Sequence, residues 1–304
     1  MHIIGHHIVR AKLQEKSERE SLRQGYLFFG PQSVGKSLCA LEFSARLAGE
    51  PDFVATVDKP FPFDVRVVKP EEETKRGVIK QKNIGAEEIR ETLNFLAHFP
   101  TRGKYRIVII EEAHKLSATA QNVLLKTLEE PQSTAVIILV THEGGSLFDT
   151  LLSRVERVRF DFVPEREILK EIEHLFPTDK MTEKNTVAPF FFSLGRPGMI
   201  VRAKTDPLGF EEEREKLSSL FRLSTLSSQE RLALAEKLSV DVPGAIWLLE
   251  WWLPGLHTQA LKIEEVRKAA RYFELLEETE ATLRLLKTTQ SNARLLFEKL
   301  FLSI

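Results

Sequence analysis

Cysteine is nearly missing from the chain: Cys39 is the single one among 304 residues. One thiol cannot close an internal disulfide, and it cannot build a four-cysteine zinc module, so no zinc is expected. The scarcity of cysteine suits a reducing compartment, and we expect a cytoplasmic protein.

A strong charge of either sign is also lacking. The chain has 43 lysines and arginines against 44 aspartates and glutamates, which gives a net charge of −1. No general basic field therefore indicates direct DNA binding, although DNA could still be met within a larger complex.

Long apolar runs are absent from the sequence. The longest, such as residues 136–140, are far shorter than the ~20 residues that span a bilayer, and no basic-then-apolar leader opens the chain. We therefore expect no membrane association.

Short apolar runs alternate with helical patterns over about the first 160 residues. Strands are predicted at 26–29, 64–68, 106–110, 135–140 and 157–160, and helices at 36–47, 84–99 and 117–130. This alternation indicates an α/β domain with a parallel sheet flanked by helices. The third and fourth strands are apolar almost throughout, which predicts a sheet centre covered on both faces.

Strand signals end at Pro164, and only helical patterns follow. Short helices are predicted at 164–176 and 186–202, and long amphipathic helices follow a turn-rich boundary at 206–209. We predict an α/β domain at 1–162 and two all-α domains at 163–206 and 207–304. The charged stretch 71–82 is interpreted as a solvated loop, and the tryptophans at 247, 251 and 252 as part of a buried helix.

Residues 30–37, GPQSVGKS, fit the phosphate-binding pattern G-x-x-x-x-G-K-[ST] at Gly30, Gly35, Lys36 and Ser37. The glycines let backbone N–H groups turn towards phosphate oxygens at the positive end of the next helix. Lys36 would reach the outer phosphates of ATP, and the Ser37 hydroxyl would ligate Mg²⁺. A loop of this shape can also persist after nucleotide affinity is lost, so both interpretations stay open.

Glu111 and Glu112 follow the predicted strand 106–110 directly. A carboxylate at the end of such a strand can hold Mg²⁺, and the next can orient an attacking water. Glu111 is longer than the usual aspartate, and Mg²⁺ tolerates little geometric slack, so slow hydrolysis is expected. The alternative is two solvated acids. Thr141, after strand 135–140, could touch the terminal phosphate or the water.

Two arginines are ambiguous on their own. Arg154 precedes the last predicted strand, where an arginine is usually a surface cation, and Arg196 lies in the turn LGRPG. Arg196 could instead sense a nucleotide, and the role of Arg154 depends on the family to which the chain belongs.

Taken in order, these motifs resemble the clamp-loader branch of the AAA+ ATPases. LFFGPQSVGKS resembles Walker A, YRIVIIEEAHKL resembles Walker B and LGRPG resembles sensor 2. The most specific stretch is ATAQNVLLKTLEEPQSTAVIILVTH, which is similar to the helix and sensor-1 strand of bacterial clamp-loader subunits. LLSRVERVRF resembles the Ser-Arg-Cys motif, although Val155 replaces its cysteine. The resemblance implies ATP and Mg²⁺ as ligands, with Thr141 and Arg196 near the nucleotide.

Within that branch the chain most resembles the delta-prime family of bacterial DNA polymerase III, because it is short and ends in LLKTTQSNARLLFEKLFLSI. The resemblance implies Arg154 as an arginine finger acting on ATP of a neighbouring subunit, with own activity at most weak ATP hydrolysis. The implied partners are gamma/tau-type and delta-type subunits in a hetero-pentamer, the sliding clamp and primed DNA. A gamma/tau-like ATPase subunit and, less well supported, another AAA+ motor remain alternatives.

Overall fold

The structure is a computed structural model, and it describes residues 3–19, 21–54, 59–75, 78–130, 132–175, 194–289 and 291–304. The chain divides into two compact units, Met1–Ile200 and Val201–Ile304. The predicted division into three domains stays a prediction, and most of the helix predicted at 186–202 lies outside the described residues.

The first unit is built on a five-stranded parallel sheet with the order β2-β5-β6-β1-β7. Its strands are β1 Gly25–Phe29, β2 Val65–Val68, β5 Arg106–Ile110, β6 Ala135–Thr141 and β7 Glu156–Arg159. All seven residues of β6 are buried, as are the four apolar residues of β5. The predicted parallel sheet with a covered centre is therefore confirmed.

Alternate residues of the central strands enter two separate cores. Val108, Ile110 and Leu139 pack into one core with helices α3 and α4, which span Ala86–Leu96 and Ala118–Glu129. Ile107 and Ile109 pack into the other core with α2, Lys36–Leu47. The strands end in register, so the loops that follow β1, β5 and β6 share one edge of the sheet.

Two local predictions were wrong. The stretch predicted as a solvated loop contains an antiparallel hairpin, β3 Glu72–Lys75 and β4 Val78–Gln81. The helix predicted at 84–99 is too long, since α3 ends at Leu96, and Phe99 lies beyond it and is 86% exposed. Helix α1, His7–Glu18, was not predicted from the sequence. Two further helices, α5 and α6, span Asp149–Leu152 and Glu165–Leu175.

The described residues from 197 onwards are mostly helical. Helix α7, Pro197–Thr205, is followed by α8 Pro207–Phe221, α9 Ser228–Val240, α10 Val242–Lys262, α11 Val266–Thr288 and α12 Ala293–Leu302. Trp251 and Trp252 on α10 are buried, and the Trp247 ring packs on that of Trp251, in agreement with the predicted buried helix. Within the described residues, no helix has both the length and the apolar character that a membrane crossing needs.

Candidate functional site

The phosphate loop joins β1 to α2 at the carboxyl edge of the sheet. Gly30 has a φ of 141°, and a Cβ there would lie 2.0 Å from the carbonyl oxygen of Phe160, so only glycine fits. Ser33 and Gly35 also have positive φ, and Gly35 is the residue before the first turn of α2. The loop is thus wound at the N-terminus of α2, where half-buried Ser37 lies in the first turn.

Lys36 is buried within this loop, with 7% of its surface exposed. Its Nζ donates to the carbonyl oxygens of Gly30 at 2.9 Å and Pro31 at 2.5 Å. Burial lowers the pKa of Lys36 to about 8; the charge of Glu112 opposes this change and the charge of Arg196 adds to it. The amine is therefore held by the backbone of the loop and feels both an acid and a cation from other parts of the unit.

Glu112 turns towards the end of β6. Its Oε2 lies 3.2 Å from Nδ1 of His142 and 3.4 Å from Nε2 of His114. Burial by itself raises the pKa of Glu112, but the hydrogen bond from His142 and the charges of His142, His114 and Lys36 outweigh it and lower the pKa. Glu112 is thus the acid of the pair that is electrostatically linked to the phosphate-loop lysine.

Glu111 turns the other way. It forms an ion pair with Lys69, which follows β2, with Oε2 and Nζ 3.0 Å apart. Because β2 and β6 lie on opposite sides of β5, the two neighbouring glutamates face opposite sides of the strand that precedes them. The pair predicted to share one magnesium-and-water site is separated in this way.

Thr141 is buried at the end of β6, in the register position of Phe29 on β1. Its hydroxyl donates to the carbonyl oxygen of Glu143 at 3.0 Å and accepts from the Glu143 N–H at 3.0 Å. Nδ1 of His114 lies 3.2 Å from the same oxygen. The hydroxyl is therefore engaged within its own loop.

Arg196 is buried and reaches the same edge from the segment that precedes α7. Its guanidinium lies over the Phe162 ring, 5.3 Å from the centroid, and Gly198 N–H donates to the Ser33 carbonyl oxygen at 2.9 Å. The turn that contains Arg196 is thereby anchored directly to the phosphate loop. Its charge contributes to the lowered pKa of Lys36.

Arg154 lies at the opposite edge of the sheet. It precedes β7, whose far end reaches Phe160 beside Gly30, so about 20 Å separate Arg154 from the phosphate loop at ~3.3 Å per strand residue. Nη1 donates to the Thr150 carbonyl oxygen at 2.8 Å, and Nη2 pairs with the exposed Glu129 at 2.8 Å. Arg154 is a surface residue and is separate from the cluster formed by the other candidates.

The sequence patterns missed three residues at this edge: His114, His142 and Lys69. His114 belongs to the segment YRIVIIEEAHKL and His142 ends the segment ATAQNVLLKTLEEPQSTAVIILVTH, but neither was singled out, and Lys69 fits no motif. Only the order of the strands brings the residues after β2, β5 and β6 together.

The sheet carries a phosphate loop after its fourth strand, two consecutive acids after β5 and a buried threonine at the end of β6, an arrangement in keeping with an AAA+ protein. The family model described as "DNA polymerase III, delta subunit" matches residues 5–164, more than half of the chain. The chain therefore belongs to this clamp-loader family.

The curated relatives carry related names. The chain is 29% identical to the tau subunit of DNA polymerase III from Bacillus subtilis over 182 residues, which cover 59% of the chain and 32% of the relative. It is also 29% identical to the delta' subunit of Pseudomonas aeruginosa over 139 residues, which cover 42% of the chain and 40% of that subunit. The matches thus span about a third to two fifths of these relatives.

Solved structures show the same fold. A DNA polymerase III gamma subunit-related protein from Thermotoga maritima aligns over 95% of this chain and 97% of its own, with a TM-score of 0.52 and 21% identity. A RuvB variant from Thermotoga maritima aligns over 84% of this chain and 88% of its own, with a TM-score of 0.52 and 17% identity. At these identities the likeness shows the fold alone.

Proposed function

We propose that this chain is a delta-prime-like subunit of a bacterial clamp loader, which helps to load the sliding clamp on primed DNA. In this role Arg154 acts as an arginine finger on ATP bound by a neighbouring gamma/tau-type subunit. The strongest support is the position of Arg154 on the surface, about 20 Å from the phosphate loop of its own chain. An arginine at that distance cannot stabilise charge on a nucleotide in its own loop.

The contacts of Arg154 also suit action on a partner. The Thr150 carbonyl oxygen and the Ser153 hydroxyl orient one guanidinium nitrogen, and the pair with Glu129 holds another. Glu129 is half exposed, and exposed ion pairs contribute at most about 1 kcal/mol. The guanidinium can therefore exchange this carboxylate for a phosphate oxygen at little cost.

The residues of the phosphate loop fit ATP with Mg²⁺. Gly30 and Gly35 shape the loop, Lys36 would neutralise the outer phosphates and Ser37 would ligate the metal. Thr141 and Arg196 lie at the same edge. The magnesium ion would supply charge neutralisation. Glu111, however, is paired with Lys69. This ion pair is an argument for at most weak ATP hydrolysis by this subunit.

The alternative is a gamma/tau-like subunit that hydrolyses its own ATP. The specific observation in its favour is Glu112, whose charge reaches Lys36 and which can serve as the water-orienting acid. A different AAA+ motor is less well supported, because only the fold relates the chain to such proteins.

The remaining parts of the proposal follow from the clamp-loader role. The partners are gamma/tau-type and delta-type subunits in a hetero-pentamer in the cytoplasm. Residues 163–206 would form a helical lid beside the nucleotide, and residues 207–304 a helical collar that holds the pentamer together.

The test is Arg154→Ala in the assembled complex. ATP turnover by the neighbouring subunit should fall at least ~100-fold at that site, because one arginine finger contributes this much or more. The matched control is Arg157→Ala, an exposed arginine three residues away on β7, which should leave turnover unchanged. Normal turnover by a correctly assembled Arg154→Ala complex would contradict the proposal.

Two measurements on the purified chain separate the two candidate functions: titration with a fluorescent ATP analogue and Mg²⁺, which measures binding, and an assay of ATP turnover. Binding that Lys36→Ala abolishes, together with turnover that Glu112→Gln abolishes, would favour the gamma/tau-like alternative. Binding without turnover would favour the delta-prime-like subunit.

A further inference from the structure

Three side chains converge at the edge of the sheet that carries the phosphate loop: Glu112, His114 and His142. One ligand atom from each lies within 4.8 Å of the other two. Glu112 Oε2 is 3.2 Å from His142 Nδ1 and 3.4 Å from His114 Nε2. In a tetrahedral zinc site, neighbouring ligand atoms are about 3.3 Å apart. The two distances from Glu112 Oε2 to the histidine nitrogens already have this length.

The outer nitrogen of His114 also has a partner. His114 Nδ1 lies 3.2 Å from the Thr141 hydroxyl oxygen, whereas His142 Nε2 lies 3.8 Å from Glu143 Oε1, which is beyond a hydrogen bond. Histidines that ligate metals usually donate their second N–H to such a group, which fixes the tautomer and the ring orientation. The His114 ring is thus held with Nε2 towards Glu112, and His142 Nδ1 lies 3.2 Å from the same carboxylate oxygen.

We propose that Glu112 Oε2, His114 Nε2 and His142 Nδ1 bind a divalent transition metal of the zinc type. Two imidazoles and one carboxylate suit zinc, cobalt or nickel better than magnesium, which prefers an all-oxygen shell. Three protein ligands leave the fourth position open, as in catalytic zinc sites. The shortage of cysteine led us to expect no zinc, but that argument bears only on a thiolate site, and this site needs no thiolate.

The site would compete with any use of Glu112 in hydrolysis. A carboxylate oxygen that ligates the metal cannot at the same time orient an attacking water. The metal site itself depends only on the geometry of the three side chains, so it stands whether or not the chain is a delta-prime-like subunit.

The test is titration of the tag-free full-length chain, freed of metal with a chelator, with Co²⁺. We expect one equivalent to give the visible absorption of four-coordinate cobalt, Zn²⁺ to displace it, and excess Mg²⁺ to leave it unchanged. His142→Ala should weaken Co²⁺ binding at least ~10-fold, because even the loss of a residue that supports a ligand costs 10- to 100-fold. Glu112→Gln gives a second variant of nearly unchanged shape, should His142→Ala fail to fold.

The matched control is His98→Ala, an exposed histidine at the end of α3, which should bind Co²⁺ like the wild type. Absence of the four-coordinate spectrum in the wild type would overturn the proposal. So would an unchanged affinity in folded His142→Ala or Glu112→Gln, since the metal would then be bound at another place.

Discussion

At the scale of single residues, the phosphate loop shows what a motif does and does not predict. The pattern predicts the positions of Gly30, Lys36 and Ser37, because its chemistry is local to eight consecutive residues. It does not predict that Lys36 is buried against the carbonyl groups of its own loop. Nor does it predict that Glu112, rather than Glu111, is linked to Lys36, since that depends on strand order.

The buried Lys36 should make stability depend on pH. Its pKa is about 8 in the folded chain against an ordinary 10.5, so the unfolded chain binds more protons between these values and stability rises with pH. The free energy of unfolding of the wild type, relative to Lys36→Met, should increase by about 2 to 3 kcal/mol from about pH 7 to about pH 10. Denaturant titration at both pH values measures this difference.

Lys126→Met is the control for this prediction, because Lys126 is an exposed lysine on α4. The difference in free energy of unfolding between the wild type and Lys126→Met should stay constant over the same pH range. A Lys36→Met difference that is equally constant would show that the amine keeps its ordinary pKa.

At the scale of elements, apolar composition predicts well where burial alone decides the structure. The apolar runs of β5 and β6 correctly indicated central strands, and the helix predicted at 117–130 is α4, which buries Ala120, Leu124 and Leu128 at helical spacing. The hairpin of β3 and β4 was missed because its sequence is charged, and its strands are stabilised by pairing with each other.

Asp64 illustrates an element junction that no pattern marks. Its carboxylate is fully buried at the start of β2, where it accepts from the N–H groups of Thr101 and Arg102 at 2.8 Å. Arg106 Nε lies 3.4 Å away. The side chain therefore fastens the loop before β5 to the beginning of β2.

Asp64→Ala should lower the free energy of unfolding by about 3 kcal/mol, because two backbone donors and the Arg106 charge lose their acceptor. Asp161→Ala is the matched control: Asp161 pairs with Arg159 on the surface, and its loss should cost at most about 1 kcal/mol. Equal losses in the two variants, measured by denaturant unfolding, would contradict the role of Asp64.

At the scale of the whole molecule, the chain divides into two compact units. The second unit buries Trp251, Trp252, Phe297 and Phe301, and it contains the ring pairs Trp247–Trp251 and Phe297–Phe301. Asp206 caps α8 by accepting from the Gly209 N–H, so a chain that begins there retains the start of its first helix.

A fragment of residues 206–304 should therefore fold by itself. We expect a helical circular dichroism spectrum and a single cooperative thermal transition. Trp252→Ala in this fragment should remove the transition or lower its midpoint strongly, because a buried tryptophan replaced by alanine costs about 3 to 5 kcal/mol. A fragment that melts without cooperativity would show that this unit depends on the first one.

The sequence by itself determined the class of fold, the phosphate loop and the surface arginine, because periodicity and short motifs depend on neighbouring residues. Tertiary structure decided which side chains meet. Glu111 pairs with Lys69 and Glu112 with His142 because the parallel strands end at a common edge. The order of the strands in the sheet differs from their order along the chain. The same register places Arg154 at the far edge, away from the loop of its own chain.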